Sequence, residues 1–106
     1  MYAKAYQNLA ARTINEKLTQ KEMIDHALKG MCAELGELQG LYQKIYQGHE
    51  LDREKLAKEL GDIAWYLAET ATALDLDLED IFQANIDKLK KRYPEGFDSA
   101  RSINRK

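Results

Sequence analysis

The chain has 106 residues, of which 44% are hydrophobic and 32% are charged, and its formal net charge at pH 7 is -2. This length predicts a single domain over residues 1–106 with a small core, and the charge balance gives no reason to expect nucleic acid as a partner. Valine is absent and Pro94 is the only proline. Such a composition favours helices over sheet, so we expect an all-α protein.

Cysteine usage and hydropathy bear on where the protein resides. The single cysteine, Cys32, excludes an internal disulfide framework and fits a reducing compartment. No apolar run approaches the roughly 18 residues that a membrane span needs. The first residues lack the charged-then-apolar layout of a signal peptide. We therefore expect a cytoplasmic protein without a membrane partner.

The first half of the chain predicts two helices. One spans about residues 2–13. Thr19 is the expected N-cap of the second, with Glu22 three residues on as in a capping box, and this helix is predicted over about 20–47 with apolar residues at steps of 4 and 3. Three glycines fall inside it: Gly30, Gly36 and Gly40. Since each costs roughly 1 kcal/mol relative to alanine, we expect close helix packing or a bend beside them.

The second half predicts two more helices and a tail. Asp52 is the expected N-cap of a third helix over about 53–74, whose apolar seam has the same 3 and 4 spacing. A fourth helix over about 78–92 should stop before Pro94. Residues 95–106 show no periodicity and are expected to be irregular. The inward face of the fourth helix is predicted to carry Ile81, Phe82, Ile86 and Leu89.

These elements predict an antiparallel helical hairpin bundle of about four helices. The second and third helices are long and amphipathic, and together they present more apolar surface than one short helix can cover. We therefore expect the core to be completed by oligomerisation, as a dimer or a tetramer.

Two acidic motifs lie within the apolar seams rather than opposite them. Glu34-Leu-Gly-Glu37 and Glu59-Leu-Gly-Asp62 each place two carboxylates three residues apart on one helix face. The intervening residues, 38–58, are enough for a hairpin in which all four carboxylates converge. Crowded carboxylates raise one another's pKa, and a divalent cation relieves this. Oxygen-only ligands favour Mg²⁺, with Mn²⁺ as a possible substitute.

Other interpretations of these motifs stay open at this point. The four acidic residues can equally be solvated helix charges, ion-paired with Lys55 or Lys58. A di-iron carboxylate bundle is a further option, but it needs Glu-x-x-His motifs. The two histidines, His26 and His49, do not stand three residues after a glutamate.

The acidic motifs resemble the E-x-x-E … E-x-x-D signature of the all-α nucleoside triphosphate pyrophosphohydrolases. Residues 58–67 are similar to the third helix of that family, and residues 84–97 are similar to the fourth helix and stop of its MazG-like branch. Residues 6–7 and 12–13 resemble the start of those chains. The resemblance therefore covers nearly all of the sequence.

This resemblance implies a Mg²⁺-dependent enzyme that hydrolyses a nucleoside triphosphate between its α- and β-phosphates, clearing surplus or non-standard nucleotides. Four residues would hold the metal: Glu34, Glu37, Glu59 and Asp62. Glu34 and Glu37 are equal candidates for orienting or deprotonating the water. Contacts with the substrate are implied for Tyr66, Asn85, Lys88 and Arg92. Aromatic residues sandwich the base in several relatives, but here the corresponding stretch offers only Tyr42 and Tyr46, so no base preference is predicted.

Each implied substrate contact also has a plainer interpretation. Tyr66 can be a core tyrosine, Asn85 can form an interhelical hydrogen bond, and Lys88 with Arg92 can be an ordinary basic helix end. Two rival functions also stay open. One is a non-enzymatic helical interaction or regulatory module on the same scaffold. The other is a pyrophosphohydrolase of a non-nucleotide diphosphate, such as the phosphoribosyl-ATP hydrolase relatives.

Overall fold

The computed structural model describes residues 1–105, and five α-helices and one 3₁₀ turn form in that range. They are α1 (Ala3–Ala11), α2 (Gln20–Gln43), the 3₁₀ turn Lys44–Gln47, α3 (Arg53–Ala73), α4 (Leu78–Arg92) and α5 (Ser99–Ile103). The described part of the chain has no β-strand, which confirms the all-helical prediction. None of the helices within residues 1–105 has the length and hydropathy of a membrane span.

The predicted caps begin both long helices. The Thr19 hydroxyl accepts a hydrogen bond from the backbone N–H of Glu22 at 3.2 Å, and the Glu22 carboxylate accepts one from the Thr19 N–H at 2.9 Å. Asp52 caps α3 by accepting from the Lys55 N–H at 3.0 Å. The second helix tightens to 3₁₀ geometry over its last turn and ends at Gly48, whose φ of 90° favours glycine.

Helices α2 and α3 pair as an antiparallel hairpin. The side chain of Gln20 donates to the backbone oxygen of Ala73 at 2.7 Å, and further along His26 Nδ1 lies 2.9 Å from a carboxylate oxygen of Glu69. As the position on α2 advances, the partner on α3 moves back toward the turn. The hairpin is therefore the frame that brings the two acidic motifs face to face.

The small buried core lies where α1 packs against α3 and α4. It consists of Ala10, Ala68, Ala71 and Leu78. Gln7 is also buried, and its amide donates to the backbone oxygen of Leu76 at 2.8 Å while its carbonyl accepts from the N–H of Leu78 at 2.8 Å. These bonds fasten α1 to the connection between α3 and α4, because buried polar groups of the backbone require a partner.

Much of the apolar surface that the sequence assigned to helix packing is open in one chain. Six residues of the predicted α2 and α4 faces are 38% to 52% exposed: Leu28, Leu35, Tyr42, Phe82, Ile86 and Leu89. The prediction that four α4 residues face inward is therefore wrong within one chain for Phe82, Ile86 and Leu89, and holds only for Ile81. The reason is that α4 packs mainly against the short α1. Exposed apolar stripes of this extent are unusual on a monomer.

The C-terminal segment departs from the predicted irregular tail of residues 95–106. Helix α5 forms over Ser99–Ile103, and the carboxylate of Asp98 accepts a hydrogen bond from the N–H of Ala100 at 2.8 Å. The prediction is wrong for these five residues because a local N-cap is enough to start one turn, while a helix this short shows no periodicity. Lys106 lies outside the described residues.

The glycines of α2 differ in what surrounds them. A Cβ at Gly30 would overlap the ring of Tyr66, whereas a Cβ at Gly36 or Gly40 meets no heavy atom within 4 Å. Close packing or a bend was expected beside these glycines; close packing occurs at Gly30, against the ring of Tyr66, and at neither Gly36 nor Gly40.

We expect opposite effects from alanine at two of these positions. Gly36→Ala should stabilise the fold by up to about 1 kcal/mol, because alanine loses less backbone freedom in a helix. Gly30→Ala should destabilise it by about 1–3 kcal/mol, since the ring of Tyr66 must move. Urea unfolding followed by circular dichroism measures both free energies. Equal stabilisation by the two substitutions would contradict the close approach at Gly30.

Candidate metal centre

Three of the four predicted carboxylates converge between α2 and α3. One oxygen from each of Glu34, Glu59 and Asp62 lies within 4.8 Å of the others, and we call these residues the acidic trio. Glu34 comes from α2, while Glu59 and Asp62 stand one turn apart on α3. Tertiary packing of the hairpin thus assembles oxygen atoms at a spacing that one cation can bridge.

Two oxygens of the trio are buried without a partner. Oε2 of Glu34 and Oε2 of Glu59 are shielded from solvent, and neither accepts a hydrogen bond from the residues that the structure describes. Buried polar atoms in folded proteins are nearly always hydrogen-bonded. A hard divalent cation satisfies such oxygens directly, since it takes carboxylate ligands without needing a donor hydrogen. The trio therefore fits a bound Mg²⁺ or Mn²⁺.

The crowding raises the pKa of Glu34 to about 7. The largest cause is a hydrogen bond that the protonated carboxyl of Glu34 can share with Glu59, followed by desolvation and by the charges of Glu37, Glu59 and Asp62. All of these effects favour the neutral form. A cation between the carboxylates would act in the opposite direction, because it favours the ionised form.

Glu37 does not join the acidic trio. It is exposed, stands one turn beyond Glu34, and lines a separate pocket of about 430 Å³ together with Glu59. Its charge still contributes to the raised pKa of Glu34. The structure thus brings three of the four predicted ligands together and leaves the fourth at the edge of the group.

Tyr66 stands one turn after Asp62, on the side of the trio away from the hairpin turn. Its ring packs over Gly30 and lies 5.9 Å from the ring of His26, centroid to centroid. Burial raises the pKa of the Tyr66 hydroxyl, and the nearby charge of Glu34 raises it further. Tyr66 is therefore both a packing residue of the hairpin and a close neighbour of the acidic trio.

The other three predicted substrate contacts lie on α4. Asn85 and Lys88 are exposed and Arg92 is half-buried. Among residues 1–105 none of the three forms an ion pair or hydrogen bond with a carboxylate of either acidic motif. A single chain therefore shows no contact between these residues and the acidic trio.

Comparison with known proteins places the chain in a family. The family model described as the MazG nucleotide pyrophosphohydrolase domain matches residues 7–97. The chain belongs to the MazG family. Gene 37 protein of Mycobacterium phage L5 is 32% identical over 89 residues, which cover 79% of this chain and 78% of that protein. No solved structure matches the chain. The resemblance drawn from the acidic motifs is thus confirmed.

This MazG domain has a buried glutamate paired with a half-exposed histidine, which the sequence reasoning missed. Glu69 is 1% exposed, and its two carboxylate oxygens lie 2.9 and 3.1 Å from Nδ1 of His26, within hydrogen-bonding distance. The signal was available in the spacing, because four α3 residues follow one face in steps of 3, 4 and 3: Glu59, Asp62, Tyr66 and Glu69. The polar face of α3 thus continues past the trio to the His26–Glu69 pair.

Proposed function

We propose that this MazG domain is a Mg²⁺-dependent nucleotide pyrophosphohydrolase that converts a nucleoside or deoxynucleoside triphosphate into its monophosphate and pyrophosphate. The observation that carries the proposal is the pair of buried, unpartnered oxygens of Glu34 and Glu59 beside Asp62. Mg²⁺ held by a few carboxylates commonly serves a phosphate substrate. Membership of the family supports the class of reaction.

In this proposal Glu34, Glu59 and Asp62 hold the cation, and Glu37 stands beside it. The cation would neutralise phosphate charge and polarise the phosphorus–oxygen bonds. During hydrolysis the oxygen of a water molecule bonds to phosphorus, and the bond from that phosphorus to the bridging oxygen breaks. The bridging oxygen keeps the electron pair and departs with the other product, while a proton of the water passes to a carboxylate.

Glu37 suits the role of proton acceptor better than Glu34. Both oxygens of Glu37 are outside the trio, so they stay available to a water molecule when the cation is bound. Glu34 contributes one carboxylate oxygen to the trio, and coordination would occupy it. The two glutamates of the first motif would then divide the work, one holding the metal and the other orienting the water.

The proposed enzyme works as a homo-oligomer, either a dimer or a tetramer. An open groove of about 610 Å³ runs along the hairpin near its turn, and five of its lining residues are apolar or aromatic: Leu38, Tyr42, Tyr46, Leu56 and Leu60. A second copy covering this groove and the exposed face of α4 would remove that apolar surface from water. Assembly is also how Asn85, Lys88 and Arg92 would reach a substrate held at the trio of another copy.

We expect the Leu60→Glu substitution to dissociate the proposed oligomer. Leu60 is 56% exposed, so a carboxylate costs little in a free chain, but it would have to be buried unpaired in an interface. Sedimentation velocity should show the wild-type protein at a multiple of 12.2 kDa and the variant at a lower mass. Asn8→Glu, at an exposed position of α1, makes the same charge change and serves as the control. A monomeric wild-type protein would refute the assembly.

The proposed reaction is tested by a panel of common and modified triphosphates with Mg²⁺. We expect release of pyrophosphate and a monophosphate in equal amounts, and no release in the presence of a chelator. Phosphoribosyl-ATP belongs in the panel because it is the substrate of the rival function, that of the phosphoribosyl-ATP hydrolases. Binding of nucleotides without turnover of any compound would favour the interaction module, and release of orthophosphate would contradict the proposed bond cleavage.

A further inference from the structure

A polar pocket of about 430 Å³ opens beside the acidic trio, on the side of the hairpin turn. Its walls come from the end of α2, the 3₁₀ turn and the start of α3. Its polar lining consists of Glu37, Gln43, Lys44, Gln47, Lys55 and Glu59. Because Glu59 belongs both to this pocket and to the trio, a ligand can occupy the pocket and approach the trio at once.

Two lysines give this pocket a cationic wall. Lys44 and Lys55 are exposed, and within the described residues neither is within ion-pair distance of a carboxylate, although two glutamates line the same pocket. Lys29, by contrast, pairs with Asp25 at 2.9 Å. Ammonium groups left free beside a candidate cation site are available to an anion that bridges the lysines and the metal.

The order of residues along α3 indicates the orientation in which an elongated ligand would bind. Lys55, Glu59, Asp62 and Tyr66 follow one face in steps of 4, 3 and 4, and at 1.5 Å per residue they span about 16 Å. The cationic end is at Lys55, the acidic trio is in the middle, and the aromatic end is at Tyr66. A nucleoside triphosphate has the matching order of polyanionic end, scissile phosphate linkage and aromatic base.

We propose that this pocket binds the pyrophosphate end of the substrate, with Lys44 and Lys55 donating hydrogen bonds to the oxygens of its two outer phosphates. The inference rests on the proposed function and adds the orientation of the substrate: the nucleoside lies toward Tyr66. The side-chain amides of Gln43 and Gln47 line the same pocket and add neutral donors. The contacts from Lys44 and Lys55 to the phosphate tail then come from the same chain that carries the carboxylates.

The test measures the affinity of magnesium pyrophosphate by calorimetry in Lys44→Ala, Lys55→Ala and the double variant. Loss of each charge-assisted hydrogen bond should weaken pyrophosphate binding by roughly 10-fold or more and raise the KM for the triphosphate in step. Affinity for the nucleoside monophosphate should stay unchanged. If Lys44 and Lys55 were needed only for the fold, their loss would weaken monophosphate binding as well. Lys21→Ala is the matched control, because it removes one exposed lysine from the opposite end of α2.

A second variant tests the pocket without removing a lysine. A Cβ at Gly40, which lines the pocket, meets no heavy atom within 4 Å, so Gly40→Glu can enter the pocket without disturbing the fold. We expect it to abolish pyrophosphate binding by charge repulsion.

The outcomes separate the two proposals. If the wild-type protein hydrolyses a triphosphate but the double lysine variant binds pyrophosphate as tightly as the wild type, the pocket assignment is overturned and the reaction stands. If the wild-type protein hydrolyses no triphosphate but binds pyrophosphate more tightly than the double lysine variant does, the proposed reaction is refuted and the pocket assignment stands. Absence of pyrophosphate binding to the wild-type protein with Mg²⁺ overturns the pocket as well.

Discussion

Glu59→Gln and Asp62→Asn should each lower triphosphate turnover by more than about 100-fold, because each removes a carboxylate on which the proposed metal-assisted catalysis depends. The substitutions preserve side-chain volume. Each variant would place a neutral amide where the wild-type protein has one of the three clustered carboxyl groups. Steady-state kinetics with Mg²⁺ measures the loss, and circular dichroism should show unchanged helix content.

Glu54→Gln provides the matched control for this expectation. Glu54 is an exposed glutamate of the same helix, in its first turn, and it is outside the trio. Its amide variant should turn over at the wild-type rate, which shows that loss of one acidic charge on α3 is not itself harmful. Full activity in either the Glu59 or the Asp62 variant would remove the metal assignment.

The starts of α2 and α3 were predictable because the hydrogen bonds that cap them are local. Thr19 and Glu22 are three residues apart, and so are Asp52 and the N–H of Lys55 that it caps. Such hydrogen bonds depend on neighbours in the sequence and on little else. The beginning of α5 after Asp98 uses the same chemistry, but a five-residue helix offers no periodicity to accompany the cap.

The packing of the shorter helices was not predictable in the same way. The bond from the N–H of Leu78 to Gln7 joins residues 71 positions apart. Periodicity marks a helix face as apolar without naming the element that covers it. The sequence therefore identified the apolar face of α4, but the face is largely open in one chain because the small core forms around α1 instead.

The candidate site shows the same division between local pattern and tertiary packing. The spacing of each acidic motif indicated that its two carboxylates share a helix face. It did not indicate that the packing of the hairpin would bring Glu34 close to Glu59 and Asp62 and leave Glu37 at the edge of that group. The burial of Glu69 against His26 was missed for a related reason, since a glutamate in a charge-rich helix is ordinarily exposed.

Without metal, the protein is expected to lose stability as the pH rises from about 4.5 to about 7, over the window between the ordinary and the raised pKa of Glu34. In that window the folded state binds more protons than the unfolded state, so the free energy of unfolding falls with increasing pH. Mg²⁺ should reverse the loss. At 100 times its Kd it would add about 2.7 kcal/mol by linkage, measurable as a higher Tm.

Glu34→Gln separates the two parts of this expectation. At about pH 8 the metal-free variant should melt at a higher temperature than the metal-free wild type, because an amide replaces a crowded charge and can donate a hydrogen bond to Glu59. The same variant should gain little from Mg²⁺, since a ligand is lost. Glu54→Gln should show the wild-type response in both respects. If the metal-free Glu34 variant melts at a lower temperature than the metal-free wild type, like charges in the trio do not destabilise the fold. If Mg²⁺ still raises the Tm of the variant as it does that of the wild type, Glu34 is not a ligand of the cation.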